Sequence, residues 1–280
     1  EIAYKAIEFG IRARRPNAAG ETIRLHYGDC KDTALLTHLL LRAAGINSHL
    51  ALVNTSWSTQ ADLPSLDQFN HMVVAIPSLG PNWLLDATDK SLALADFPAD
   101  YLWHSNALLL DPAKPRLLTA LEHAAPETGM VHIRRKVTAD GKDWKVEETL
   151  ELTGYTAAWM RNSFSGLNAN DQRNKAQSIL AAQGAAQVQE FQFANLDEVE
   201  KPARLTMNYR IPAGVSESGA NLTGSLPAYW ERDYLGTRFV KDRKTPFQVL
   251  YPIHLSSEVA LKLPSQPAVD SISALQQHGQ

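Results

Sequence analysis

An α+β fold is the class this sequence predicts, and three observations predict it. Residues 29–44 form one strongly apolar helical stretch, with Leu35, Leu36, Leu39, Leu40, Ala43 and Ala44 on a broad face and Gly45 at the expected left-handed cap. Three strand-like runs follow directly, separated by polar or Pro/Gly-rich turns. Beyond residue 126 the chain changes to long alternating strands around a helical pair. A buried helix followed by a strand meander gives a helix packed on an antiparallel sheet, and the second half adds a β-rich domain with a helical insertion.

Composition narrows the function classes. The chain has 280 residues, 44% hydrophobic and 20% charged, with a net charge of −3. That length suits two domains, and the charge gives no electrostatic footprint for nucleic acid or an anionic membrane. No apolar run approaches the roughly 20 residues that span a bilayer. The single cysteine excludes an intrachain disulfide framework and any multi-cysteine zinc site. The chain opens Glu1-Ile2-Ala3-Tyr4, without Met or signal peptide, and reads as a fragment or a processed chain.

In order, Ile7-Glu8-Phe9-Gly10-Ile11 reads as a short strand, Arg12–Arg15 as a basic loop, and residues 21–26 as one helical turn leading to Gly28. The helix over 29–44 is expected to be buried on most sides. Ser48–Asn54, His71–Ile76 and Asn82–Thr88 are the three strands, with Thr55–Asp67 a loop and Pro77–Asn82 a turn. Residues 91–126 are rich in proline and loop, which places the boundary between domains 1–125 and 126–265 there. Val131–Thr138 and Trp144–Leu152 make a hairpin about Asp140-Gly141, because Asp-Gly suits a tight turn. Two helices follow, one including Tyr155, Ala158, Trp159 and Asn162 and one running from about Asn170 to Gly184. Val188–Phe193, Leu205–Ile211, Phe247–Leu255 and Val259–Leu263 are strands of a sandwich or sheet, and residues 266–280 are a polar tail.

The chemistry concentrates at Cys30. It starts the apolar helix just after Gly28-Asp29, where the helix macrodipole and unpaired N–H groups favour a thiolate. An inert, small hydrophobe is the plainer reading of a lone cysteine. A nucleophile needs a histidine and a group that orients it. Of the nine histidines, His26 has no evident orienting partner. His38 lies eight residues along the same helix, about 12 Å away and out of reach. His49 reads as structural. His71 opens the second strand, and Asp86 falls at the far end of the third. Antiparallel pairing through the intervening turn would make them cross-strand neighbours, about 5 Å apart at Cβ if in register. An Asp in an apolar strand needs such a partner; Asp89 competes for the role. A zinc site from His26, Cys30 and His71 is the weaker reading, because the spacing lacks a compact ligand pair. Neither metal nor cofactor is expected.

Tyr27-Gly28-Asp29-Cys30-Lys31-Asp32, then Phe69-Asn70-His71, then Trp83-Leu84-Leu85-Asp86-Ala87-Thr88-Asp89, together resemble the transglutaminase-like superfamily, nearest its bacterial branch with flanking β-rich domains. The match covers roughly residues 4–90. The resemblance implies a papain-like, transglutaminase-like core, with Cys30 as nucleophile, His71 as base and Asp86 as orienting acid. It also implies a periplasmic or secreted setting and helices before the first strand, which would lie outside this sequence. The activity implied is cysteine-dependent acyl transfer on a peptide or protein substrate, with hydrolysis favoured over amine cross-linking. The alternative is a non-catalytic protein- or glycan-binding module on the same scaffold. Substrate, acyl acceptor and oligomeric state are not written in the sequence.

Overall fold

A computed structural model of the chain describes residues 2–6, 14–57, 59–60, 62–80, 83–103, 106–111, 113, 116–117, 129–181, 186–219, 221–225, 244 and 254–263. It is an α+β protein built on two five-stranded sheets. The strand expected at residues 7–11, the boundary at 125/126 and the 266–280 tail lie outside the described residues.

A short parallel pair, β1 (Ala3–Tyr4) and β2 (Tyr27–Gly28), flanks α1 (Ala19–Leu25), which is longer than the single turn expected. Helix α2 (Cys30–Ala43) follows, then β3 (His49–Val53), β4 (His71–Ala75) and β5 (Leu84–Leu85). β6 (Leu108–Leu110) and β7 (Arg116–Leu117) arise inside the stretch read as loop. The resulting sheet has the order β5-β4-β3-β6-β7, antiparallel throughout. One face carries Ala51, Val53, Val73, Ala75, Leu84 and Leu109 into a core with Leu102 and Ala107. On the other face Ala34 of α2 packs with Val74 and Ile76, alongside Leu50, Met72 and Leu85.

Two sequence expectations are corrected here. α2 is buried along its first turns, through Lys31, Asp32, Thr33, Ala34 and Leu36, whereas Leu39 is 43% and Leu40 59% exposed. Its polar start, rather than its leucine-rich end, is the anchored part. The third strand shortens from seven residues to Leu84–Leu85, because the Asp86 side chain captures the Thr88 N–H and turns the chain.

The second sheet contains β8 (Met130–Asp140), β9 (Asp143–Leu152), β10 (Gln187–Ala194) and β11 (Ala203–Ile211). A separate hairpin, β12 (Val215–Ser218) with β13 (Asn221–Gly224), precedes β14 (His254–Lys262). The order is β10-β11-β9-β8-β14, with β14 parallel to β8. β8 and β9 join through Gly141–Lys142, with Asp140 opposite Asp143 and Gly141 at φ 61°. Of the two turn residues only Gly141 lies in the left-handed region, which glycine enters without steric cost. Helices α3 (Gly154–Phe164) and α4 (Ala169–Ala181) cover the sheet, burying Met160, Phe164, Ala176 and Leu180 against Ile133, Leu150, Leu205 and Met207. Among the described residues this is one sheet with a helical insertion. The break expected at Ser256-Ser257-Glu258 is absent, since β14 pairs with β8 through it. An edge strand keeps its ladder through backbone bonds and does not need alternating apolar side chains to do so. No helix of the described residues is long and apolar enough to cross a membrane.

Candidate active site

The site begins with the way α2 starts. Asp29 caps the helix, accepting the Asp32 N–H at 3.3 Å, while the Asp32 carboxylate takes the Asp29 N–H at 3.4 Å. This reciprocal capping box satisfies two of the helix's terminal donors. The Asn17 backbone N–H (2.6 Å) and side-chain amide (3.2 Å) both donate to Asp32, and Lys31 pairs with Asp29. The whole network is buried, which is why the helix is fixed at its N-terminal end. Gly28 is required for close approach: a Cβ there would stand 2.7 Å from the Asp32 Cβ and 3.1 Å from Thr22 Cγ2. Cys30, half-buried and unpaired with any other sulfur, is the first residue of this helix.

His71 opens β4, close enough to Cys30 for the thiol to influence its titration. Its Nε2 lies 2.6 Å from Asp86 Oδ2, which leaves Nδ1 free of the carboxylate. The two are not directly opposite each other. The β4–β5 register pairs Val74 with Leu85 and Ala75 with Leu84, so in continuation His71 stands opposite position 88 and Asp86 is its diagonal neighbour, two residues closer to the strand. A diagonal pair remains within reach of long side chains.

Asp86 is 1% exposed and its acceptor capacity is filled. Oδ2 accepts from His71 and from the Tyr101 hydroxyl at 2.5 Å; Oδ1 accepts from the Thr88 N–H at 2.8 Å and the Thr88 hydroxyl at 2.7 Å. Burial pushes the Asp86 carboxyl up, but His71, Tyr101 and Thr88 together outweigh it and hold the group below the usual carboxylate range. Burial likewise disfavours the His71 imidazolium, yet the bond to Asp86, the contact with Cys30 and the Asp86 charge raise its pKa to about 9. Burial beside the Asp86 charge keeps the Tyr101 phenol protonated, and therefore a donor, across the physiological range.

A pH window follows. The folded protein binds the His71 proton more tightly than the unfolded chain, whose histidine titrates near 6.5. The stabilisation is complete below that pH and lost as pH rises through about 9. Up to about 3 kcal/mol depends on it. Urea unfolding should therefore show stability falling from pH 6.5 to 9.5, and a His71→Gln protein should lose most of that slope.

The acid sits on a segment that the second sheet grips. Arg161 of α3 donates to the Ser91 carbonyl at 3.0 Å, to the Glu198 carbonyl at 3.2 Å and to the Lys201 carbonyl, while Asn162 donates to the Ser91 hydroxyl at 3.0 Å. Leu92, Phe97, Ala99 and Trp103 pack with Tyr155 and Ala158 of the same helix. Both ends of the stretch that carries Asp86 and Tyr101 thus rest on α3. An Arg161→Met protein, which leaves three carbonyls without their donor, should lose about 1–3 kcal/mol. Amide exchange across residues 91–103 should accelerate at least tenfold.

The other candidates fall away. Asp89 is occupied by the Ser91 N–H (2.9 Å) and hydroxyl (2.5 Å). His38 Nδ1 meets Ser48 at 3.0 Å, and His26 is the left-handed cap of α1. Among the described residues no group of three His, Cys, Asp or Glu is arranged to hold a metal ion, so His26, Cys30 and His71 do not form one. Sequence reasoning missed Tyr101, Thr88, Asn17 and Asp32. The Asp29-x-x-Asp32 spacing was a legible capping signal; Tyr101 had none, since its approach depends on the 91–103 loop. No protein-family model matches the chain, and no curated protein is significantly similar to it.

Proposed function

We propose that the protein is a cysteine-dependent acyl-transfer enzyme acting on a peptide or amide, with water as the preferred acceptor. One observation carries the reading: the His71 ring is bonded through Nε2 to a saturated, buried Asp86, and the only cysteine, at a helix start, lies near enough to influence its titration. Asp86 fixes the ring and favours its charged form, and a protonated ring beside Cys30 favours the thiolate.

In the first half-reaction Cys30 Sγ attacks the acyl carbon, and the backbone N–H groups at the start of α2, Cys30's own included, stabilise the oxyanion. The C–N bond breaks as His71 delivers its proton to the departing amine, leaving a thioester. Water then attacks the thioester while neutral His71 takes its proton, the carboxylic acid leaves, and the thiolate–imidazolium pair is restored. Tyr101 and Thr88 keep Asp86 in place through both halves. The transglutaminase-like resemblance of residues 4–90, with its papain-like core, supports the same order of roles. Helix α2 packed on an antiparallel sheet, with Cys30, His71 and Asp86 at one end of it, is consistent with that core.

Mixing the protein with a short peptide p-nitroanilide and quenching in acid should give an acyl adduct by intact mass, on Cys30 and on no other residue. Cys30→Ala should abolish it, and His71→Ala should slow it at least a hundredfold. Added cadaverine competing effectively with water would reassign the acceptor to amines. Absence of any adduct, together with partner binding that is equal in Cys30→Ala, would replace the enzyme with a binding module.

A further inference from the structure

The segment between β3 and β4 folds back beside the end of the sheet at which His71 stands. Gln68 holds it closed. Its side-chain amide donates to the carbonyls of Gln60 (3.1 Å) and Leu63, its Oε1 accepts the Gln60 N–H at 2.7 Å, and its own carbonyl takes the Asn54 amide at 2.6 Å. The Asn106 amide, on the approach to β6, donates to the Thr59 carbonyl at 3.3 Å. This braced loop borders a cavity of about 280 Å³ lined chiefly by Leu63, Leu66, Phe69 and Leu108, with Gln60 and Gln68. None of its lining side chains is ionisable. The Gln68 amide is already committed to the loop, so a charged guest would lose hydration and gain no partner.

Its position relates it to the thiol. Phe69 lies two residues before His71. Leu108 pairs with Leu52, and Leu52 pairs with Met72, the residue after His71. Two interstrand spacings, about 10 Å, therefore separate the cavity's sheet wall from the catalytic strand. By strand alternation Leu52 and Leu108 share the face on which Leu50 and Met72 pack near Ala34 of α2. Cys30 begins that helix and lies by His71 at the start of β4, so the cavity and the thiol share an end of the sheet, although alternation puts His71 itself with Val73 on the opposite face. An extended peptide covers about 10 Å in three residues.

We propose that this cavity is a specificity subsite that receives an uncharged apolar side chain of the peptide acyl donor, two or three residues from the carbonyl that Cys30 attacks. The assignment rests on the acyl-transfer reading above. Leu63 and Leu66, 51% and 57% exposed, form its apolar mouth and can be changed without disturbing the core.

The test uses N-acetyl tripeptide chloromethyl ketones that alkylate Cys30, followed by mass. Phe, Asp or Gly is placed in turn at the second and third residues, with glycine elsewhere, and iodoacetamide serves as a reagent too small to fill the cavity. Phe at one of the two positions should label Cys30 at least tenfold faster than Asp or Gly there. Leu66→Asp and, separately, Leu63→Asp should remove that advantage and leave iodoacetamide labelling unchanged. Equal rates for Phe, Asp and Gly, or a Phe advantage that survives both variants, overturns the subsite while leaving the catalytic reading standing. Iodoacetamide labelling indifferent to His71→Ala overturns the catalytic reading, and the subsite with it.

Discussion

An Asp86→Ala protein should unfold about 3–5 kcal/mol more easily than the parent at pH 7. The reason lies in what the carboxylate leaves behind. Thr88 loses the acceptor for both its N–H and its hydroxyl, the Tyr101 hydroxyl loses its acceptor, and a His71 side chain only 13% exposed loses the charge that favours its imidazolium. Unsatisfied buried donors and an unpaired buried charge are among the few single changes that reach this size. Asp86→Asn retains an acceptor oxygen and most of the shape while removing the charge, so it should lose roughly half as much. Urea melts of both variants check this. The pH dependence should move with them: without the carboxylate the His71 proton is held less tightly, and the fall in stability between pH 6.5 and 9.5 should flatten. A loss below 1 kcal/mol for Asp86→Ala would mean that the carboxylate is not embedded as described.

The site was legible where local chemistry alone decides placement. Cys30 at a helix start follows from Gly28-Asp29 ahead of an apolar run, and the pairing of His71 with Asp86 follows from two strands joined by a tight connection. The details depended on atoms that the pattern does not report. Asp86 proved to be a diagonal neighbour of His71 beyond a strand of two residues, because its own side chain captures the Thr88 N–H. Tyr101 reaches Asp86 from a one-turn helix, Asp100–Leu102, in a proline-rich stretch that shows no period at all. β6 escaped notice as Leu108–Leu110 because three residues are too few for alternation to declare a strand. The leucines at the end of α2 misled in the opposite direction. Leu39 and Leu40 fit an apolar face, yet the described residues leave them exposed, and the helix is fixed instead by the buried Asp29, Lys31, Asp32 and Asn17 network.

The second half shows the same division. Long alternating strands announced β8, β9 and β11, and the Asp-Gly turn announced the hairpin. What this half does for the site was not visible, since Arg161 and Asn162 reach Ser91 across about 70 residues of sequence. Such contacts join two segments whose individual patterns say nothing about each other. They give the second sheet a physical role in the candidate site, as the support on which the Asp86–Tyr101 stretch rests.

Thiol trapping at low pH measures directly whether His71 and Cys30 act as a pair. At pH 6 only about 0.3% of an ordinary free cysteine is thiolate, so iodoacetamide reacts with it slowly. Cys30 should be alkylated at least tenfold faster than free cysteine at that pH, and His71→Ala should return the rate to that of a simple thiol. Asp86→Asn should fall between the two. A Cys30 that reacts no faster than free cysteine, or one whose rate is the same in His71→Ala, would contradict the account.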